Sequence, residues 1–198
     1  VFGYPSKPTP FVFIACDRSY NGTIRILARV GVDWKTFPFE AYLNRPGEWD
    51  IDKIIMDAAA KHPDTQLFII DGINSIVPGG DLTKYSVVST FLKKLTRFCA
   101  TQGKTIIGVV HTAKTKENET YLNPRERLIG SVAWAGYSET IILVEPTAPD
   151  DPNCKARNIY LLPRNAPEAS FDMDFKDGLL VPRQARTRKP SPEKLFAT

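Results

Sequence analysis

Three apolar stretches of this sequence each end in a polar side chain that could act on a phosphate or a metal ion. These side chains are Asp17, Asp71 and His111. A carboxylate at the end of a buried parallel strand can hold Mg²⁺ against nucleotide phosphates. A second carboxylate can polarise a water molecule for attack on a phosphate, and a neutral imidazole can hydrogen-bond a phosphate oxygen. The residue types are therefore those of a phosphate-handling site.

Each of these side chains also has an ordinary structural interpretation. An Asp that follows a strand often caps the next turn, which applies to Asp71. Asp17 could be a helix cap, or it could form a surface ion pair with Arg18, which follows it. His111 could be a structural histidine. The combination is more specific than any one residue, because the carboxyl ends of parallel strands meet at one edge of a sheet, where ligands bind.

Buried strands alternating with helical patterns position these residues. This alternation predicts an α/β fold with a mainly parallel sheet flanked by helices. The four strongest strand predictions are Phe11–Cys16, Gln66–Asp71, Thr105–Val110 and Thr140–Val144. The predicted helices are Gly22–Val30, a helix capped by Asp50 that runs to about Lys61, Leu82–Gln102 with Gly103 as its stop, and a helix that begins at Pro124.

The C-terminal part of the chain has a different pattern. Strands at Asn158–Leu162, Ala169–Phe175 and Leu179–Val181 are joined by turns, which predicts an antiparallel extension. We expect residues 1–182 to form one core and residues 183–198 to form a flexible basic tail. The short segment Trp34–Tyr42 is predicted to be irregular or a short edge strand.

Composition limits the class of protein. The 198 residues are 42% hydrophobic and 24% charged, which is ordinary for one globular domain, and no apolar run is long enough to span a membrane. Three scattered cysteines favour a reducing compartment, so we expect a cytoplasmic protein without membrane association. The tail accounts for the whole net charge of +4, with five basic residues against one acidic residue. Any contact of the core with nucleic acid must therefore come from local patches.

The chain resembles the RecA-fold ATPases of the RepA-type hexameric helicase group, which are P-loop proteins. The resemblance is carried by Val12–Ser19, Leu67–Asp71, Val109–Lys114, Pro124–Ala135 and Glu139–Val144, and it spans about Val1 to Val181. It implies a RecA-like three-layer fold with a mainly parallel sheet and a C-terminal antiparallel extension. It also implies ATP and Mg²⁺ as cofactors.

The resemblance further implies a role for single residues. Asp71 corresponds to the Walker B carboxylate that holds Mg²⁺, and Asp17 to the catalytic acid, which is usually Glu in the family. His111 corresponds to a sensor of the nucleotide's terminal phosphate. Arg164 falls near a position that reaches a neighbouring subunit's nucleotide. The loop that corresponds to Lys114–Asn123 faces the central pore in the family and contacts DNA, so Lys114 and Lys116 are candidate DNA contacts. The mixed charge of this loop is equally typical of a solvated loop. The charge distribution adds Arg125, just beyond the loop, as a further candidate DNA contact.

One departure from the family concerns the phosphate-binding loop. The pattern G-x-x-x-x-G-K-[ST] does not occur in the 198 residues. In the family it precedes the strand that corresponds to Phe11–Cys16, so we expect this chain to begin just after that unit and to bind ATP poorly by itself. Two functions remain. One is an ATP-dependent motor of helicase type, a homo-oligomer or hexameric ring on single-stranded DNA. The alternative is a non-catalytic module that binds nucleic acid or protein.

Overall fold

The protein is a mixed α/β chain in a computed structural model. The structure describes residues 9–33, 35, 39–41, 50–79, 81–112, 132–148, 151, 153–176 and 179–183. The predicted helix that begins at Pro124 and the tail after Arg183 lie outside the described residues.

The N-terminal half contains the predicted parallel sheet. Its strands are β1 (Phe11–Ala15), β2 (Phe39–Ala41), β3 (Leu67–Asp71) and β4 (Thr105–Val109). They are all parallel, in the order β2-β1-β3-β4. The helices of this half are α1 (Tyr20–Arg29), α2 (Ile51–Lys61) and α3 (Tyr85–Gln102). The predicted alternation of strands and helices is confirmed here, and the short edge strand is β2.

Local sequence signals explain where these helices begin and end. The Asp50 side chain accepts a hydrogen bond from the backbone N–H of Asp52 at the start of α2. Helix α3 ends at Gly103, which takes the left-handed conformation with a φ of 61°. Glycine adopts this conformation without steric cost, so it terminates the helix as the sequence predicts.

The core lies between α2, α3 and one face of the parallel sheet. Val12 and Ile14 of β1 and Phe68 and Ile70 of β3 are fully buried on this face. The ring of Phe68 meets that of Phe98 edge to face, with 5.8 Å between centroids. Alternate strand residues therefore fix which face the helices cover.

The C-terminal half forms a separate antiparallel sheet. Its strands are β5 (Thr140–Pro146), β6 (Ala156–Pro163), β7 (Ala169–Lys176) and β8 (Leu179–Pro182), in the order β5-β6-β7-β8. The predicted antiparallel extension is confirmed. A short helix, α4 (Ala133–Tyr137), precedes β5 and packs on α3, where Trp134 meets Phe91 with 6.3 Å between ring centroids.

The placement of Thr140–Val144 in the parallel sheet was wrong. This stretch lies in β5 and pairs with β6 in antiparallel register. Ile141 and Leu143 are buried while Ile142 and Val144 are exposed, so the strand buries one face only. Because all four side chains are apolar, the alternation that is typical of an antiparallel strand could not be read from the sequence.

The three-layer RecA-like arrangement remains a prediction, since the buried core lies against one face of the parallel sheet. Within the described residues, no helix combines the length and apolar character needed to cross a membrane.

Candidate functional site

The register of the parallel sheet places the predicted site residues at one edge. Ala15 of β1, Asp71 of β3 and Val109 of β4 stand side by side in the last row of the sheet. Asp17 and His111 come two residues beyond that row on the strands that flank β3. All three polar residues therefore emerge at the carboxyl edge.

Arg18 links the two carboxylates, and His111 lies near one of them. The Arg18 Nε donates a hydrogen bond to Asp71 Oδ2 at 3.1 Å and lies 3.8 Å from Asp17 Oδ1. His111 Nε2 lies 3.8 Å from Asp17 Oδ2, which is too long for a hydrogen bond. We call Asp17, Arg18, Asp71 and His111 the strand-end cluster. The structure brings the three predicted residues together, while their catalytic roles remain predictions.

The sequence indicates Arg18 only as a possible ion-pair partner of Asp17. That ion-pair alternative is confirmed, and the pair extends to Asp71. The helix-cap alternative for Asp17 is wrong. Ser19 caps α1 instead, since its side chain accepts a hydrogen bond from Gly22 N at 3.2 Å.

Gly72 is a second residue of the site that the sequence patterns do not predict. Its φ is +73°, and a Cβ added there would lie 2.5 Å from Cγ of Asp17. The absence of a side chain therefore lets Asp17 pack directly over the turn after β3. A glycine directly after a strand-end carboxylate was the available signal.

Cys16 lies behind the cluster. Its backbone N–H donates to the Asp71 carbonyl at 2.9 Å, which ties the end of β1 to β3. Burial, together with the charges of Asp17 and Asp71, raises the pKa of the Cys16 thiol to about 12. The thiol is therefore protonated at neutral pH and is not a nucleophile for this site.

The donor set of the cluster suits a hydrated Mg²⁺ ion. Carboxylate oxygens are its preferred protein ligands, and one or two of them suffice when waters and substrate phosphates complete the octahedron. Among the described residues, no group of three or more His, Cys, Asp and Glu could hold a metal ion by itself. Asp17 and Asp71 therefore fit an ion that a phosphate ligand helps to hold.

Asn74 lies three residues after Asp71, in a 3₁₀ turn at Ile73–Ile76. Its amide Oδ1 is the one buried side-chain oxygen in the described part of the chain that has no hydrogen-bond partner. An unpaired buried amide oxygen costs free energy, and a donor group on a bound molecule would remove that cost.

Arg164 is placed elsewhere. Its guanidinium donates to Glu139 Oε1 at 3.1 Å and to the Gly136 carbonyl, and its backbone N–H donates to the Glu139 carbonyl at 2.8 Å. These contacts join the end of β6 to the segment before β5, and no described contact joins Arg164 to the strand-end cluster. Its action on a neighbouring subunit's nucleotide remains a prediction.

The candidate DNA contacts Lys114, Lys116 and Arg125 lie outside the described residues. No protein family and no curated protein matches this chain. The resemblance to the RepA-type group therefore remains an interpretation of the sequence.

Proposed function

We propose that this chain is the greater part of an ATPase domain of helicase type, which in the intact protein uses Mg-ATP to act on DNA in replication or in the maintenance of a mobile element. The observation that supports this proposal is the strand-end cluster. Two carboxylates and an imidazole emerge together from neighbouring parallel strands, at the edge where α/β proteins bind nucleotides. The proposal includes the RecA-like three-layer fold and a cytoplasmic location.

Each residue of the cluster has a role in this proposal. Asp71 would hold the Mg²⁺ ion, directly or through water, and the ion would supply neutralising charge for the phosphates. Asp17 would accept a hydrogen bond from the attacking water and take its proton as the water oxygen bonds to the terminal phosphorus, while the bond from that phosphorus to the bridging oxygen breaks and ADP leaves. His111 donates a hydrogen bond to an oxygen of that phosphate and transmits its presence to residues 113–123, which follow directly.

The DNA part of the proposal follows from the charge distribution. The core carries 21 basic and 21 acidic residues, so each subunit has few positive contacts to offer. Lys114, Lys116 and Arg125 supply these contacts, and several subunits share one single strand. Each neutralised phosphate adds about 0.7 to the salt dependence of single-strand binding, so one subunit alone binds weakly.

Substitution of the two carboxylates in the intact protein tests the proposal. We expect Asp71→Asn to abolish Mg²⁺-dependent ATP hydrolysis. Asp17→Asn should retain ATP binding but lower the turnover rate by about 10²–10⁴, because a general base acts on the attack and not on binding. The measurements are steady-state phosphate release and equilibrium binding of a labelled ATP.

Asp174→Asn is the matched control. Asp174 lies in β7 and pairs with Arg183 at 3.2 Å, so this change removes an exposed carboxylate from an ion pair outside the cluster. Hydrolysis by Asp174→Asn should equal that of the wild type. Unchanged hydrolysis in Asp71→Asn would show that the cluster is not the nucleotide site.

The second candidate function is a non-catalytic binding module with a RecA-type fold. The hydrogen-bonded ion pair between Arg18 and Asp71 favours it, because a carboxylate that is already neutralised has a purely structural explanation. The two candidates differ in one measurement. An intact protein that binds no ATP at millimolar concentrations, with or without DNA, is the module and not the motor.

A further inference from the structure

The Arg18 guanidinium lies beside both carboxylates of the strand-end cluster, where a metal cation would bind. Its Nε lies 3.1 Å from Asp71 Oδ2 and 3.8 Å from Asp17 Oδ1, so one guanidinium serves two carboxylates from different strands. The Asp71 side chain is only 16% exposed, whereas that of Arg18 is 46% exposed. The carboxylate is therefore held in the fold, while the arginine reaches it from the solvent side.

The charges of the cluster explain this arrangement. Gly72 lets Asp17 pack against the turn that follows Asp71, which concentrates negative charge at the edge. Arg18 relieves this repulsion, and with a neutral His111 the cluster has a net charge of −1. A divalent cation would relieve the same repulsion through the same carboxylate oxygens. The guanidinium and the metal ion therefore exclude each other at Asp71 Oδ2.

We propose that Arg18 is a built-in competitor for the divalent cation, and that it holds Asp71 in the metal-free protein and moves to solvent when the cation binds. This inference rests on the proposed function, since it concerns the metal ion of that site. The exchange requires little rearrangement, because exposed ion pairs of this kind are weak and the arginine side chain has room to turn outward. Arg18 is thus a positioning residue that sets the affinity for the metal ion.

The test is a titration of the chain with Mn²⁺ alone, with free Mn²⁺ measured by electron paramagnetic resonance. Removal of the competitor in Arg18→Ala should tighten Mn²⁺ binding by roughly fivefold, the equilibrium equivalent of an exposed ion pair. The rise in melting temperature on addition of Mn²⁺ should also be larger for Arg18→Ala than for the wild type, because the metal-free variant carries unrelieved repulsion.

Arg25→Ala is the control for charge alone. Arg25 lies on the exposed side of α1, and its replacement changes the net charge by the same amount without touching the cluster. Direct competition predicts that Arg25→Ala leaves the affinity within about twofold of the wild type, since Arg25 forms no described ion pair with Asp17 or Asp71 and salt screens exposed charges. Arg18→Ala introduced into Asp71→Asn should likewise have no effect on the affinity.

The outcomes separate the two proposals. Mn²⁺ binding that is equally tight in the wild type and in Arg18→Ala, or equally tightened by Arg25→Ala, overturns the competitor role and leaves the proposed function intact. Absence of Mn²⁺ binding in every variant of this chain overturns the competitor role, whereas the proposed function is overturned only if the intact protein also fails to bind Mg-ATP. Tightening that is confined to Arg18→Ala and lost with Asp71→Asn supports both.

Discussion

Asp17 follows β1 and Asp71 ends β3, and Gly72 controls how closely the two side chains approach each other. Gly72 follows Asp71 and lies beneath the Asp17 side chain. Any Cβ at this position would overlap Cγ of Asp17, at 2.5 Å. The geometry of the strand-end cluster thus depends on having glycine, which has no side chain, at position 72.

Gly72→Ala should therefore destabilise the protein and displace Asp17. Gly79 is a matched control, since its φ is also +73° but an added Cβ would meet nothing within 4 Å. We expect Gly79→Ala to lower the free energy of unfolding by about 1–2 kcal/mol, the strain of a left-handed alanine. Gly72→Ala should cost a further 1–3 kcal/mol or so, because it also overpacks the site. Urea denaturation measures both, and equal losses would contradict the close contact.

The buried thiol of Cys16 gives a pH-dependent prediction. Its pKa is raised from the ordinary value of 9.0 to about 12 in the folded protein. Above pH 9 the unfolded chain releases this proton while the folded chain retains it, so stability falls as pH rises towards 12. The free energy of unfolding should fall by up to about 1.4 kcal/mol per pH unit between pH 9 and pH 12. Below pH 9 the thiol is protonated in both states and causes no loss of stability.

Comparison with Cys16→Ala isolates this contribution, because all other groups that titrate in alkali remain in both proteins. The free energy of unfolding of the wild type should fall more steeply between pH 9 and pH 12 than that of Cys16→Ala. Parallel profiles would show that the Cys16 thiol ionises as easily in the folded as in the unfolded chain.

At the scale of the elements, contacts at the amino ends of β3 and β4 hold the two strands in register. Lys104 Nζ donates to the carbonyls of Pro63 and Thr65 at 2.6 and 2.8 Å, and Thr105 N donates to the Gln66 carbonyl at 2.7 Å. A slip of one residue would move every side chain to the opposite face. The contacts at this end therefore secure the position of the cluster at the other end.

At the scale of the whole molecule, the face of the parallel sheet opposite the buried core is also apolar. Phe13, Ile69 and Ile107 stand in one row across this face. Exposure increases towards β4, where Ile107 is 45% and Val109 is 43% exposed. β4 is also the outermost of the described strands on its side of the sheet. Parallel sheets are normally buried on both faces, so this surface is suited to contact another apolar surface.

We expect the 198-residue chain to associate with itself through this face. The double variant Ile107→Thr/Val109→Thr keeps β-branched side chains in the strand but reduces the apolar surface. Sedimentation velocity should show concentration-dependent association of the wild type and less of it in the double variant. Met56→Thr on α2 is the control, since Met56 is similarly exposed at 48% but lies away from the sheet face. A wild type that stays monomeric at high concentration would contradict this prediction.

The sequence by itself was sufficient to predict strands β1, β3 and β4, helices α2 and α3, and the emergence of Asp17, Asp71 and His111 at strand ends. These features depend on local properties: apolar runs of strand length, a capping Asp50 and a terminating Gly103. A polar residue that directly follows a buried strand must leave the sheet at that strand's end.

Only the tertiary structure determined which groups contact one another. β5 pairs with β6 because the chain turns back after β5. Nothing in the apolar run of β5 specifies this pairing. The bridge from Arg18 to Asp71 joins residues 53 positions apart, so it exists only because β1 and β3 are neighbours in register. The fit of Asp17 over Gly72 has the same origin. Such contacts depend on strand order and register, which non-local packing sets, and local patterns do not encode them.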